Sequence, residues 1–366
     1  MDRRKGTRHA ALALAATIAL AGCGSSSPSS KTSSPPVTLN GAGSSSIQPF
    51  LSAALYSYHK AHPSVTINYT GSGSSVGATD IEQGTVDVAD SEIPLTSTQA
   101  TGVNGTILQL PVDLGGVAIS YNLPGVATGL HLDAPTLAEI FDGTITKWND
   151  PRLAQATGNN SLPNLPIVAV HRADSSGPGY DFDQYLITNS PQWVSDVHTS
   201  TASKTWPLAT VGVGEQLNAG VATYISQTSG AIGYVEYSYA FQNQFTNAAL
   251  KNPAGDYVAP SEAGITAAGA TTTDISATNF SIVDEPGATT YPLANFSWAL
   301  VYQKQTDQAK GQALAALLGY LVTSAQSEAA TLGYAPMPSP EVKLTQNGIA
   351  QLLGPTGKAL TSPTTT

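Results

Sequence analysis

Three times in this chain a short β-favouring run gives way to a glycine–serine loop and then to a helix-patterned stretch, and this repeated unit restricts the fold more than any other feature. Val37-Thr38-Leu39-Asn40 leads into Gly41-Ala42-Gly43-Ser44-Ser45-Ser46 and a helix carrying apolar Phe50, Leu51, Ala54, Leu55 and Tyr58. Val65-Thr66-Ile67-Asn68-Tyr69 leads into Gly71-Ser72-Gly73-Ser74-Ser75 and a short helical stretch. Ile167-Val168-Ala169-Val170 leads into His171-Arg172-Ala173-Asp174-Ser175-Ser176-Gly177 and a helix with Tyr180, Phe182, Tyr185 and Leu186. Strand and helix signals alternate elsewhere too, which predicts an α/β fold.

The chemistry of the unit is that of anion binding. Glycine lets the backbone approach a ligand closely, and serine adds a hydroxyl donor. The helix that follows offers free N–H groups and the positive end of its dipole. In open α/β sheets such loops lie beyond the carboxyl ends of the strands, where ligands bind. One loop of this kind is ordinary helix-capping punctuation. Three of them, one with an arginine, point to a shared anion site.

The first residues predict export. Arg3, Arg4, Lys5 and Arg8 precede an apolar run from Ala10 to Ala21. That run is shorter than the about 20 residues a membrane-spanning helix needs, and it has the flanks of a secretory signal over residues 1–22. It ends Leu20-Ala21-Gly22-Cys23, and Cys23 is the chain's sole cysteine. The stretch resembles a bacterial lipobox, which makes Cys23 the expected lipidated residue and leaves no thiol for a disulfide. Residues 24–36 are Ser- and Pro-rich and read as a tether spanning on the order of 20 Å. Without residues 1–22 the chain keeps 11 of 15 basic and 24 of 25 acidic residues, and its net charge moves from −10 to −13. Such a balance argues against nucleic acid as a partner. An anion must be attracted locally, against the overall field.

Several stretches from about residue 38 to residue 340 are similar to the PstS family, the phosphate-binding proteins of bacterial ABC importers. They are GAGSSS (41–46), GSGSS (71–75), TVDVADSEIPLT (85–96), LGGVAISYNLPGV (114–126), DGTITKWNDPRL (142–153), HRADSSG (171–177), GAIGYVEYSYA (230–240) and YPLANFSWALVYQ (291–303). The resemblance implies a two-lobed periplasmic-binding-protein architecture (type 2, Venus-flytrap) with crossover hinge strands. Lobe 1 would comprise 37–113 and 291–366, and lobe 2 would comprise 114–290. A late helix with Leu314, Leu317, Leu318 and Leu321 suits the core of the first lobe.

Carried over position by position, the resemblance implies phosphate binding by Ser45, Ser46, Ser74, Arg172, Ser176 and Gly177. Asp174 would hold the arginine, and Ser175 lies in the same loop. The family's aspartate that accepts the proton of bound phosphate is replaced by Glu92. Asp90, two residues earlier, would face the same side of an extended strand, so either acid can fill that role. Pro178 replaces a threonine common in the family and removes an N–H and a hydroxyl, although proline suits a first helical turn. Asp181 and Asp183 follow closely, adding repulsion to the seat. The implied partners are inorganic phosphate, the importer's permease subunits with their cytoplasmic ATPase, and the membrane through the lipid anchor. The binding unit would be a monomer needing no cofactor.

Three other readings compete. The same fold with Glu92 and Pro178 can bind another oxyanion. Gly73-Ser74-Ser75-Val76-Gly77 fits the G-x-S-x-G elbow of a serine hydrolase, with His198 as the base, but short motifs of small residues match by chance. His59 and His62 sit three apart on a predicted helix with no third metal ligand near them, and the 147–150 segment around Trp148 reads as a structural turn. Binding without catalysis is the expectation.

Overall fold

The computed structural model describes residues 35–272 and 275–360. The expected signal, Cys23 and residues 24–34 of the expected tether lie outside the described residues. The first repeated unit is strand β1 (Val37–Gly43) followed by helix α1 (Gln48–Ala61), and the second is β2 (Val65–Gly71) followed by α2 (Ser74–Glu82). Then come β3 (Val88–Ser91) and the 17-residue β4 (Gly105–Tyr121). The third unit is β5 (Val168–Arg172) followed by α3 (Gly177–Asn189). Strand β6 (Val213–Glu215), α4 (Leu217–Gln227), β7 (Ala231–Glu236), β8 (Ala294–Tyr302) and α5 (Gln308–Leu321) complete the frame.

All three units therefore form, with one shift of boundary. All three strands run two or three residues beyond the apolar stretch. Gly41–Gly43 pair in parallel with Tyr69–Gly71 on one side and Val88–Asp90 on the other. Ladder hydrogen bonds on both flanks outweigh glycine's weak preference for strands.

The sheet runs β2-β1-β3-β8-β4-β7-β5-β6. Strand β4 is shared by two halves. Its Ile107–Gly116 part pairs antiparallel with β8, and its Val117–Tyr121 part pairs antiparallel with β7. The chain thus crosses outward along β4 and returns at the start of β8. On either side of this junction the strands are parallel, β1 with β2 and β3, and β5 with β6 and β7. The loops at their carboxyl ends are the ones the sequence singled out.

Each half has its own apolar packing. In the first, Leu314, Leu317, Leu318 and Leu321 of α5 meet Phe50, Leu51 and Ala54 of α1 over β1. In the second, Phe141, Phe182, Trp193, Trp206 and Tyr234 form an aromatic cluster. Asp183 is buried within it, accepting from Trp193 Nε1 at 2.7 Å and Ser203 N at 2.7 Å. It braces the core. Trp148 is likewise structural, donating to Gly230 O at 2.9 Å.

Helix α2 lies so close to β1 that a β-carbon on Gly77 would overlap Gly43 Cα. This contact sets the first two glycine loops side by side. Gly77→Ala is expected to destabilise the fold by about 1–3 kcal/mol. Gly319 of α5 is the matched control, since a β-carbon there meets nothing within 4 Å. Gly319→Ala should raise stability by about 1 kcal/mol. Urea unfolding of both variants checks the pair.

Candidate functional site

Glu92, just past the end of β3, is the meeting point of four chain segments. Its Oε1 accepts from Ser44 Oγ and, at 2.7 Å, from Ser297 Oγ of β8. Its Oε2 accepts from Ser74 Oγ at 2.7 Å. From the other half, Gly177 N donates to Ser74 Oγ at 3.3 Å, and a β-carbon on Gly177 would overlap Glu92 Oε2. Glycine is required here so that the start of α3 can close on the carboxylate. Ser176 caps α3, accepting from Gly179 N at 3.1 Å, with Pro178 in the first turn.

Arg172 ends β5 and is only 2% exposed. Asp174 grips one edge of its guanidinium, accepting from Nε at 2.7 Å and from Nη2. Asp174 Oδ1 also accepts from Leu217 N at 2.9 Å, and a β-carbon on Gly73 would come within 3.0 Å of Oδ2. Tyr234 OH accepts from Arg172 N at 2.8 Å. The other edge of the guanidinium is unpaired: Nη1 is buried with no hydrogen-bond partner among the described residues.

Polar contacts join the two halves. Asn218 Nδ2 donates to Ser45 Oγ at 3.0 Å and Ser46 Oγ at 3.2 Å, and Tyr239 OH donates to Ser45 O at 3.0 Å. Ser75 Oγ and Ser175 Oγ lie 2.7 Å apart. Ser75 is therefore bonded to a serine, while His198 is exposed and caps the 191–197 helix. Among the described residues, no serine–histidine pair forms at the G-x-S-x-G turn. His59 Nδ1 contacts Val65 O at 2.7 Å, His62 packs on Tyr58, and no metal-ligand cluster exists among the described residues.

The predicted residues Ser45, Ser46, Ser74, Glu92, Arg172, Asp174, Ser175, Ser176 and Gly177 thus converge. Asp90 stands behind them. It lies inside β3 and lines a cavity of about 30 Å³ with Leu51, Val88 and Leu317, and its Oδ1 has no partner. The acid that meets the serine loops is Glu92.

Other carboxyls crowd the junction. Burial pushes Glu236 up to about 8, reinforced by the nearby charge of Glu92 and opposed by the Gly116 N–H that donates at 2.9 Å. Burial also raises Asp90, Asp113 and Asp181 well above the carboxylate range; Glu92 adds to the first, Glu236 to the second, and Asn295 partly offsets it at Asp181. Sequence reasoning missed Ser44, Ser297, Asn218, Glu236 and Tyr239. Four lie within stretches already noted for their resemblance, but Asn218 lies in none.

The fold is that of a two-lobed solute-binding protein, and a PBP superfamily domain matches residues 29–325. The phosphate-binding protein PstS of Xylella fastidiosa is 35% identical over 322 residues, covering 87% of this chain and 86% of its own. The PstS of Pasteurella multocida is 33% identical over 312 residues, covering 84% and 89%. Among solved structures, a phosphate-binding protein from Stenotrophomonas maltophilia has a TM-score of 0.66 at 19% identity, covering 85% of this chain and 93% of that one. The chain belongs to the PstS family of phosphate-binding proteins.

Glu236 generates a pH prediction. A carboxyl whose folded pKa is raised keeps its proton while the unfolded chain loses it, so its stabilisation is complete below the ordinary value of 4.5 and is lost as pH rises to about 8. Stability of the ligand-free protein should fall over that window. Glu236→Gln should flatten the fall by on the order of 1–3 kcal/mol, read from urea unfolding across the window. An unchanged slope would contradict the protonated state of Glu236.

Proposed function

We propose that this chain captures inorganic phosphate between two lobes and delivers it to the permease subunits of an ABC importer powered by a cytoplasmic ATPase. The observation that carries this is the unpaired edge of Arg172, a buried cation with an N–H lacking any acceptor among the described residues. A buried guanidinium edge calls for an anion, and the curated relatives bind phosphate by name. Lobe 1 is 37–113 with 291–366, lobe 2 is 114–290, and the binding unit is a monomer.

In this scheme Ser45, Ser46 and Ser74 present the first lobe to the anion. Arg172, Ser176 and Gly177 present the second, with Asp174 steadying Arg172 and Ser175 closing against Ser75. Closure replaces water around the anion with fixed donors, and no bond is made or broken. Glu92 supplies selectivity. Protonated phosphate can donate to it, whereas sulfate has no proton at neutral pH and would set an oxyanion against a carboxylate. Upstream, export and lipidation at Cys23 hold the protein to the outer face of the cell membrane by its Ser/Pro tether.

Two outcomes follow. Calorimetry on the purified full-length protein should show phosphate binding tightly and sulfate weaker by on the order of 10⁴; equal affinities would sink the selectivity claim. In cells fed labelled palmitate, the wild type should take up label and partition into membranes, whereas Cys23→Ser should do neither. Label persisting in that variant would place the anchor elsewhere.

A further inference from the structure

We propose that Asn218 is a positioning residue that aims the Ser45 hydroxyl proton at the bound anion and fixes Ser46 beside it, and that it does so only when the two lobes are together. This rests on the phosphate reading above. Asn218 is fully buried at the start of α4, in the second half of the molecule, while both serines belong to the β1–α1 loop of the first.

The side-chain amide has one available orientation. Its Oδ1 accepts from Glu236 N at 2.9 Å, which leaves Nδ2 to face the two serines. Nδ2 donates to both hydroxyl oxygens, and the backbone N of Asn218 adds a longer contact to Ser45 Oγ at 3.4 Å. A hydroxyl has one proton and two lone pairs. The Ser46 hydroxyl has the Glu236 carboxyl as a partner, whereas Ser45 Oγ, with its lone pairs filled by Asn218, directs its proton elsewhere, and the accepted bonds polarise that proton into a better donor. The nearby backbone acceptors are already engaged. Ser45 O accepts from Tyr239 OH, and Ser46 O accepts from Tyr334 OH at 2.5 Å.

The turn that carries Asn218 is built for this. Leu217 adopts φ +59°, a left-handed conformation that a β-carbon disfavours. That backbone sends Leu217 N to the Asp174 carboxylate, which holds Arg172, and sends the next side chain to the serines. One strained turn thereby sets both the cationic and the hydroxyl donors. Because the serine contacts span the lobes, they exist in the closed complex and not at first encounter. Asn218 should then govern release far more than capture.

The test is stopped-flow binding of inorganic phosphate to the full-length protein and to its Asn218→Ala and Asn218→Asp variants, with melting of the ligand-free proteins alongside. Association should stay within about twofold of wild type. Dissociation should quicken by on the order of ten- to a hundredfold. Asn218→Asp, whose carboxylate accepts the serine protons, should be the worse of the two. If it fails to fold, Asn218→Ala alone carries the test. Wild-type dissociation in both variants overturns the proposal, as does a loss confined to ligand-free melting and association. Absence of phosphate binding by the wild-type protein would instead overturn the phosphate reading itself.

Discussion

A full positive charge sits at Arg172 where water scarcely reaches, and the surrounding structure is arranged to keep that charge from being stranded. A buried ion left unpaired costs several kcal/mol. Asp174 answers one edge of the guanidinium and is itself fixed by Leu217 N and by the room that Gly73 leaves. Tyr234 secures the backbone of the same residue. The second edge stays open, and toward this region the sheet brings the carboxyl ends of strands from both halves. Sharing of β4 between β8 and β7 makes that convergence possible.

Around this one cation lies a surplus of acid, in a chain whose net charge is −10. The arrangement is tolerable because burial holds protons on several carboxyls. Glu236 stays protonated until about pH 8, and Asp90, Asp113 and Asp181 are raised as well. Glu92 receives hydroxyl donors from Ser44, Ser74 and Ser297. Carboxyls that stay neutral add little field against an incoming anion. Three hydroxyls fix the position of the Glu92 carboxyl oxygens.

Much of the seat was legible because its parts are local in sequence. Glycine–serine loops after short strands, and an arginine two residues from an aspartate, declare their chemistry within a few residues. Partners that arrive from distant segments were not legible. Ser297 reaches Glu92 from β8 across 205 positions, and Asn218 reaches Ser45 across 173. Nothing next to Asn218 announces a role; only the left-handed turn at Leu217, a property of backbone and not of residue type, marks the place. Strand alternation left Asp90 and Glu92 equivalent, since it assumes that the strand continues. β3 ends at Ser91, so Glu92 is free to leave the sheet while Asp90 stays in the core. Pro178 sits in the first turn of α3, behind the Ser176 cap, the position in a helix where proline fits without strain.

The central claim is that one anion is gripped jointly by loops from both halves, with the open edge of Arg172 at its centre. A crystal structure of the protein grown with inorganic phosphate tests it most directly. A tetrahedral anion in contact with Ser45, Ser74, Arg172 and Ser176 together is the expected result. An anion bound elsewhere, or touching the loops of one half only while Arg172 Nη1 stays unpaired, would contradict the account.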